Sequence, residues 1–299
     1  MICWVDDLAG AAAMGPVPDG WEIRAFPEDP AAAPERGEVR FVVPDWQVSR
    51  ALHELPALEV VQSRSAGVDW IVDRIPDGVT LCSAKGARDA AMAEWVLWAV
   101  LADAKVAREA ADQQAAREWR HLDLGDVEGL RVLILGHGSI GAAVERRLEP
   151  FGVDVVRVAR EARDGVHAVD ELPRLLGGAG VVVDLLPLTP QTRGLVGAAA
   201  LAAMPAGSLL VNAGRGATVD TEALLRALHD GHVRAVLDVT DPEPLPDDHP
   251  LWAAPGLILT PHSAGDTPAA ERKAWELAGD QLRRYAAGEP LRNVVAQGY

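Results

Sequence analysis

Short apolar runs separated by turn residues dominate the first third of the chain. Ile2–Val5, Trp21–Phe26, Val39–Val43, Leu58–Gln62 and Val79–Ser83 predict strands. Between them lie Pro16, Pro18, Pro27, Pro30 and Pro34, an amphipathic Val48–Leu55, and a short helix predicted around Val68–Ile75. From Arg131 the same alternation resumes. Strands are predicted at Arg131–Gly136, Asp154–Ala159, Val181–Leu186, Ser208–Ala213, Arg234–Val239 and Leu257–Thr260. Helices are predicted at Ser139–Glu149, Val169–Leu176, Ala198–Met204 and Thr221–His229, the last capped by Asp220 and ended by Gly231. One alanine-rich helix from Asp89, its N-cap, to Trp119 joins the two halves, with Met92, Trp95, Val96, Ala99 and Val100 at helical spacing. A helix over Pro268–Ala287 and an extended Pro290–Val295 close the chain.

Strands that alternate with helices call for parallel βαβ units with helices on both faces of each sheet. Residues 1 to about 96 read as a small α/β domain of their own. The six strands after Arg131 fit a doubly wound Rossmann sheet. Its first strand runs into Gly136-His137-Gly138-Ser139-Ile140-Gly141, which fits G-x-G-x-x-G. Gly136 permits the tight turn, Gly138 lets backbone approach a pyrophosphate, and Gly141 lets the helix pack on the strand. The positive end of that helix then faces the anion.

Charge and composition narrow the partners. The 299 residues carry a formal net charge of -16, so the surface repels phosphodiester backbones and nucleic acid is not an expected partner. A small anionic substrate needs a local basic group against that field. No apolar run is long enough for a membrane span and the N-terminus lacks a basic signal-peptide start, so the cytoplasm is the expected compartment. Cys3 and Cys82 make neither a disulfide framework nor a metal site, and they read as inert core thiols; no metal is expected.

Ligands of an open parallel sheet bind outside the carboxyl ends of its strands. Three successive predicted strands end there in Gly214-Arg215-Gly216, in Thr240-Asp241-Pro242-Glu243-Pro244, and in Pro261-His262-Ser263-Ala264-Gly265. Each residue alone has an ordinary surface explanation. Together Arg215, Glu243 and His262 offer an anion clamp, a carboxylate and a proton donor.

These stretches, with Gly67-Val68-Asp69, Ala93-Glu94, Leu186-Pro187-Leu188-Thr189-Pro190-Gln191-Thr192-Arg193-Gly194, Val211-Asn212-Ala213, Leu237-Asp238-Val239, Thr260-Pro261-His262 and Glu289–Val295, resemble the D-2-hydroxyacid dehydrogenase family. Within it the chain looks closest to the NADPH-dependent glyoxylate/hydroxypyruvate reductases. The resemblance implies a dinucleotide-binding domain at 97–269 and a smaller flavodoxin-like substrate domain formed by 1–96 and 270–299. It implies hydride transfer to the C2 carbonyl of a 2-oxoacid, giving the D-2-hydroxyacid. His262 would be the general acid, and Glu243 would orient it and favour its protonated form. Arg215 would hold the substrate carboxylate, helped by the N–H groups of Ala66 and Gly67. It further implies cofactor contacts at Gly136–Gly141, Leu186, Pro187, Thr192, Ala213, Gly214, Arg215, Asp238, His262 and Ala264.

The usual acidic residue about 20 positions after the glycines, which binds the adenine ribose, falls at Ala159. Arg160 follows and Arg163 is close by, so NADP(H) is expected over NAD(H), with Glu161 as the complicating carboxylate. Trp46, Arg64, Met92 and Trp252 are candidates for the substrate pocket, although packing explains the aromatic residues as well. Alternative readings are a reductase of a larger 2-oxoacid from secondary metabolism and a non-enzymatic nicotinamide sensor. A homodimer is expected, with contacts along Asp89–Trp119, and the two domains are expected to close over a cleft.

Overall fold

The computed structural model describes residues 1–295 as two compact units. One holds Met1–Asp89 and the segment from Asp266 onward; the other holds Ala90–Gly265.

The first unit is a five-stranded parallel sheet of β1 (Ile2–Val5), β2 (Glu22–Ala25), β3 (Val39–Val43), β4 (Val60–Gln62) and β5 (Thr80–Cys82). Its order, β2-β1-β3-β4-β5, is the flavodoxin-like winding. Side chains of β1 alternate between two cores, as a period of two requires. Ile2 and Trp4 pack with Leu52, Leu55, Val68 and Ile71, whereas Cys3 and Val5 pack with Trp275, Ala278 and Leu282 of helix Pro268–Ala286. Thr267 caps that helix by accepting from the Ala270 N–H. Two predicted helices are shorter and tighter than expected. Val48–Leu55 is a 3-10 segment over Val48–Glu54, and Val68–Ile75 keeps only the turn Val72–Arg74. Pro76 excludes helical backbone from the residue before it, and Ile75 is extended with ψ 123°.

The second unit is a seven-stranded parallel sheet: β6 (Arg131–Leu135), β7 (Asp154–Ala159), β8 (His167–Ala168), β9 (Val181–Asp184), β10 (Ser208–Asn212), β11 (Val233–Leu237) and β12 (Leu257–Leu259). The order β12-β11-β10-β9-β6-β7-β8 is the Rossmann winding with one strand added beyond the sixth. The strand missing from the sequence reading is β8, whose two residues pair with Val158 and Ala159 and are too few to show a period. The chain reverses between β6 and β9, which places the glycine turn at the switch point.

The predicted helix over Asp89–Trp119 is two helices, Asp89–Ala104 and Ala107–Ala116, with Asp89 inside the first turn of the former. Val106 between them is left-handed at φ 46°. The Ala104 carbonyl accepts the Gly125 N–H at 2.8 Å, and Lys105 reaches the Gly125 carbonyl at 2.7 Å, so the returning chain competes with helix continuation. Ala93, Val96, Ala99 and Val100 of the first helix pack on Val132, Ile134, Val183 and Val211. That packing moves the unit boundary from 96 to Asp89/Ala90. The second boundary falls at Gly265/Asp266 instead of 269, because the loop through Ala264 is tied to Asp238 whereas Thr267 already belongs to the closing helix.

Candidate active site

The glycine turn has the expected division of labour. Gly136 sits at φ 88°, and a Cβ there would lie 2.8 Å from the Leu185 carbonyl oxygen. Only glycine fits. A Cβ on Gly138 would meet nothing within 4 Å, which leaves the open approach that a pyrophosphate needs. A Cβ on Gly141 would lie 3.0 Å from the Gly136 oxygen, so the helix packs closely on the turn. Helix Ser139–Leu148 starts from Gly138 with no side chain capping it. Its Ser139 and Ile140 end therefore suits an anion, and the turn fits a dinucleotide phosphate. His137 points elsewhere: its Nε2 lies 2.8 Å from Glu145 Oε2. Arg157, which also pairs with Glu145, holds that carboxyl below the usual carboxylate range.

At the carboxyl end of β7, Ala159 presents no carboxylate. The Arg160 side chain is 91% exposed, with Glu161 no closer than 3.9 Å. Exposed Arg163 donates from Nη2 to the His137 carbonyl at 2.7 Å, so it lies against the glycine turn.

The loop after β9 contains Leu186, whose N–H donates to Asp184 Oδ1 at 2.9 Å. The Thr192 hydroxyl donates to the Pro187 carbonyl at 2.6 Å. After β10, Ala213 is buried and the Gly214 N–H donates to Asn212 Oδ1 at 2.9 Å. Arg215 donates to the Gly214 carbonyl, while its own carbonyl accepts from Asn212 Nδ2 at 3.1 Å. A turn over Gly216–Thr218 follows.

His262 occupies the loop after β12 with left-handed backbone, φ 51°. This conformation is uncommon for a non-glycine residue and needs outside support. Asp238, 3% exposed, provides it. The Asp238 carbonyl accepts the His262 N–H at 2.8 Å. Its Oδ1 accepts from Thr260 Oγ1 at 2.5 Å and from the Ser263 N–H at 2.9 Å, and Oδ2 accepts the Ala264 N–H at 2.9 Å. The imidazole thus held brings Nδ1 to 2.5 Å from Glu243 Oε1. Both side chains are part-exposed, at 50% and 40%, so the ring stays open to a reactant.

The first unit carries Ala66 and Gly67 after β4, both half-buried. Among the described residues neither N–H has a protein acceptor, as a carboxylate-binding pair requires. Arg64 beside them is committed to an internal network. It pairs with Asp6 and Glu271 and lies 4.6 Å over the Trp275 ring. Arg88 extends this network to Glu271 and Asp266. Burial raises the Asp6 carboxyl despite Arg64. Trp46 stacks under Arg74 at 3.9 Å, Met92 is half-buried, and Trp252 donates to the Pro246 carbonyl at 2.8 Å. Arg64, Trp46 and Trp252 thus have packing roles. Burial raises both cysteine thiols, Cys82 to about 11. Among the described residues no cluster of His, Cys, Asp or Glu could hold a metal, and no helix is long and apolar enough to cross a membrane.

Asp184 and Thr218, which the sequence reading passed over, tie the Arg215 turn together with Asn212, which it quoted without a role. The one available signal is a carboxylate closing the all-valine run Val181-Val182-Val183.

Comparison with known proteins agrees with this geometry. The family model for the D-isomer specific 2-hydroxyacid dehydrogenase NAD-binding domain matches residues 97–264. A glyoxylate reductase of Aeropyrum pernix is 32% identical over 263 residues, covering 82% of this chain and 78% of that protein. A D-isomer specific 2-hydroxyacid dehydrogenase of Xanthobacter autotrophicus, solved with NADPH and MES, is 33% identical with a TM-score of 0.84, covering 100% of this chain and 99% of that one. An NADPH-dependent glyoxylate/hydroxypyruvate reductase of Sinorhizobium meliloti, solved with NADP and sulfate, is 28% identical with a TM-score of 0.87 over 100% of this chain and 99% of that one. The chain belongs to the D-isomer specific 2-hydroxyacid dehydrogenase family.

Proposed function

We propose that this oxidoreductase is an NADPH-dependent reductase of a small 2-oxoacid of the glyoxylate and hydroxypyruvate class, producing the D-2-hydroxyacid. The observation that carries the reading is the His262–Glu243 pair at 2.5 Å, on the carboxyl edge of a sheet that also ends in Arg215. Arg215 binds the substrate carboxylate through its planar fork, aided by the Ala66 and Gly67 N–H groups. His262 donates a proton to the carbonyl oxygen, and Glu243 orients the ring and stabilises its charge. When bound, the reduced nicotinamide supplies the hydride that reaches C2. The carbonyl gains one hydride and one proton, and the hydroxyacid leaves.

Gly136–Gly141 would hold the pyrophosphate. Leu186, Pro187, Thr192, Ala213, Gly214 and Ala264 would line the rest of the cofactor path by backbone and apolar contact. Arg160 and Arg163 support NADPH over NADH, because they put positive charge next to Ala159, which itself carries no carboxylate; Glu161, 3.9 Å from Arg160, is the opposing group. Two solved relatives that carry NADPH or NADP support the same reading. A homodimer is the proposed assembly, since helix Ala107–Ala116 buries none of its residues and Trp119 is fully exposed.

Initial rates with glyoxylate, hydroxypyruvate, pyruvate and larger 2-oxoacids, each with NADPH and with NADH, test the reading. The highest kcat/KM should fall to a two- or three-carbon acid with NADPH. A preference for a bulky 2-oxoacid, or for NADH, would overturn the corresponding part.

A further inference from the structure

Asp184 ends β9 with no solvent exposure, behind three valines that are themselves buried. Its Oδ1 accepts the Leu186 N–H at 2.9 Å. Its Oδ2 lies 2.6 Å from Thr218 Oγ1, and the same Oγ1 lies 2.6 Å from the Arg215 carbonyl oxygen. Each of these oxygen–oxygen contacts is hydrogen-bond length and needs a proton between its atoms. A threonine hydroxyl has one proton, and a carbonyl has none. The Arg215 carbonyl already accepts from Asn212 Nδ2 and from the Thr218 N–H, so its role as acceptor is settled. One proton shared three ways would leave both short contacts weak, so the arrangement is best satisfied with a second proton on Asp184.

We propose that Asp184 is a positioning residue that works as the neutral acid. Its Oδ2–H donates to Thr218 Oγ1, whose own O–H donates to the Arg215 carbonyl, and this chain fixes the backbone from which the Arg215 side chain reaches substrate. The inference rests on the reading of Arg215 as the carboxylate clamp.

The surroundings favour the neutral form. Asp184 pairs in register with Leu135 of β6 and Asn212 of β10, and Leu186 and Thr218 supply its side-chain contacts. Arg215 takes part through its backbone carbonyl, and among the described residues no Coulombic partner offsets the cost of burying Asp184. Burial pushes the carboxyl up to about 6, with the Thr218 and Leu186 hydrogen bonds opposing. Above that pH the single Thr218 proton can serve one acceptor only, and the link to Arg215 weakens.

The test combines a spectroscopic signature with kinetics. At pH 5, infrared difference spectra should show a buried carboxylic-acid carbonyl band that is absent in Asp184→Asn and shifted in Thr218→Val. Asn reproduces the donor and acceptor pattern of the acid, since its amide N–H donates to Thr218 and its oxygen accepts from Leu186. Asp184→Asn should therefore rescue: KM for the 2-oxoacid stays low and loses its rise above about pH 6. Thr218→Val should raise KM roughly 2- to 10-fold with a smaller change in kcat, as loss of one hydrogen bond predicts. Thr218→Ser, which restores the hydroxyl, should recover the low KM and serves as the folding control. A missing acid band, or a KM in Asp184→Asn raised as far as in Thr218→Val, would overturn the proposal. Failure of the underlying clamp assignment shows up separately, as an unchanged KM in Arg215→Lys.

Discussion

Two buried aspartates brace two strand-end loops of the second unit, and they differ in how many donors they receive. Asp238 accepts from Thr260, Ser263 and Ala264 and holds the His262 loop. Asp184 accepts one N–H, from Leu186, and its other oxygen faces a Thr218 hydroxyl whose single proton the Arg215 carbonyl also needs. Three donors satisfy a carboxylate as an acceptor; one and a shared one leave it short. The same residue type at the same edge of the same sheet can thus act as pure acceptor or as proton donor, and the number of neighbouring N–H and O–H groups decides which.

The two aspartates should differ most visibly in the pH dependence of folding. The Asp184 carboxyl stands at about 6 in the folded chain against an ordinary 3.8. Its contribution to stability is complete below 3.8 and is lost as pH rises to about 6. The loss amounts to about 3 kcal/mol, from about 1.4 kcal/mol for each pH unit between the two values. Chemical denaturation at pH 4, 5, 6 and 7 should show Asp184→Asn gaining on the wild type across this window. A constant difference would remove the asymmetry between the two aspartates.

The same substitution should then fail at the other site. Asp238→Asn places an NH2 group where Oδ1 or Oδ2 now accepts N–H donors, so at least one of the Ser263 and Ala264 N–H groups loses its partner. A loss of about 1–3 kcal/mol is expected, together with a fall in kcat as the left-handed His262 backbone relaxes. Thermal unfolding of the two Asn variants at pH 7 checks this: Asp238→Asn should unfold earlier than wild type and Asp184→Asn should not.

A smaller effect is expected away from both loops. Arg160→Ala removes an exposed charge whose ion pair with Glu161 is 3.9 Å long, so stability should stay within about 0.5 kcal/mol of wild type. KM for NADPH should rise a few-fold and KM for NADH should not, as expected for an exposed ion pair worth about 1 kcal/mol or less. Paired KM measurements at low salt decide the point.

Much of the second unit was legible because its signals are local. Gly136, Gly138 and Gly141 reveal their backbone needs in six consecutive residues, and the strands announce themselves through runs buried on both faces. Glu243 and His262 could be matched because both follow strand ends of a regular winding, and the structure brings them into contact. The brace at Asp184 could not be read, since Thr218 lies 34 residues away and the pairing exists only once β9 and β10 are neighbours. The break at Val106 was hidden for the same reason, as Gly125 must fold back to take the Ala104 carbonyl. Arg64 was the opposite case. It was a candidate for the substrate pocket, and in the structure it is engaged by Asp6, Glu271 and Trp275.

The central claim is that His262 delivers the proton while Arg215 holds the carboxylate. Steady-state NADPH oxidation with glyoxylate, compared between wild type, His262→Ala and Arg215→Lys, tests it most directly. His262→Ala should lose about 10²- to 10⁴-fold in kcat. Arg215→Lys should mainly raise KM, because a lysine keeps the charge and loses the planar fork. Near wild-type turnover in His262→Ala, with the protein folded, would contradict it.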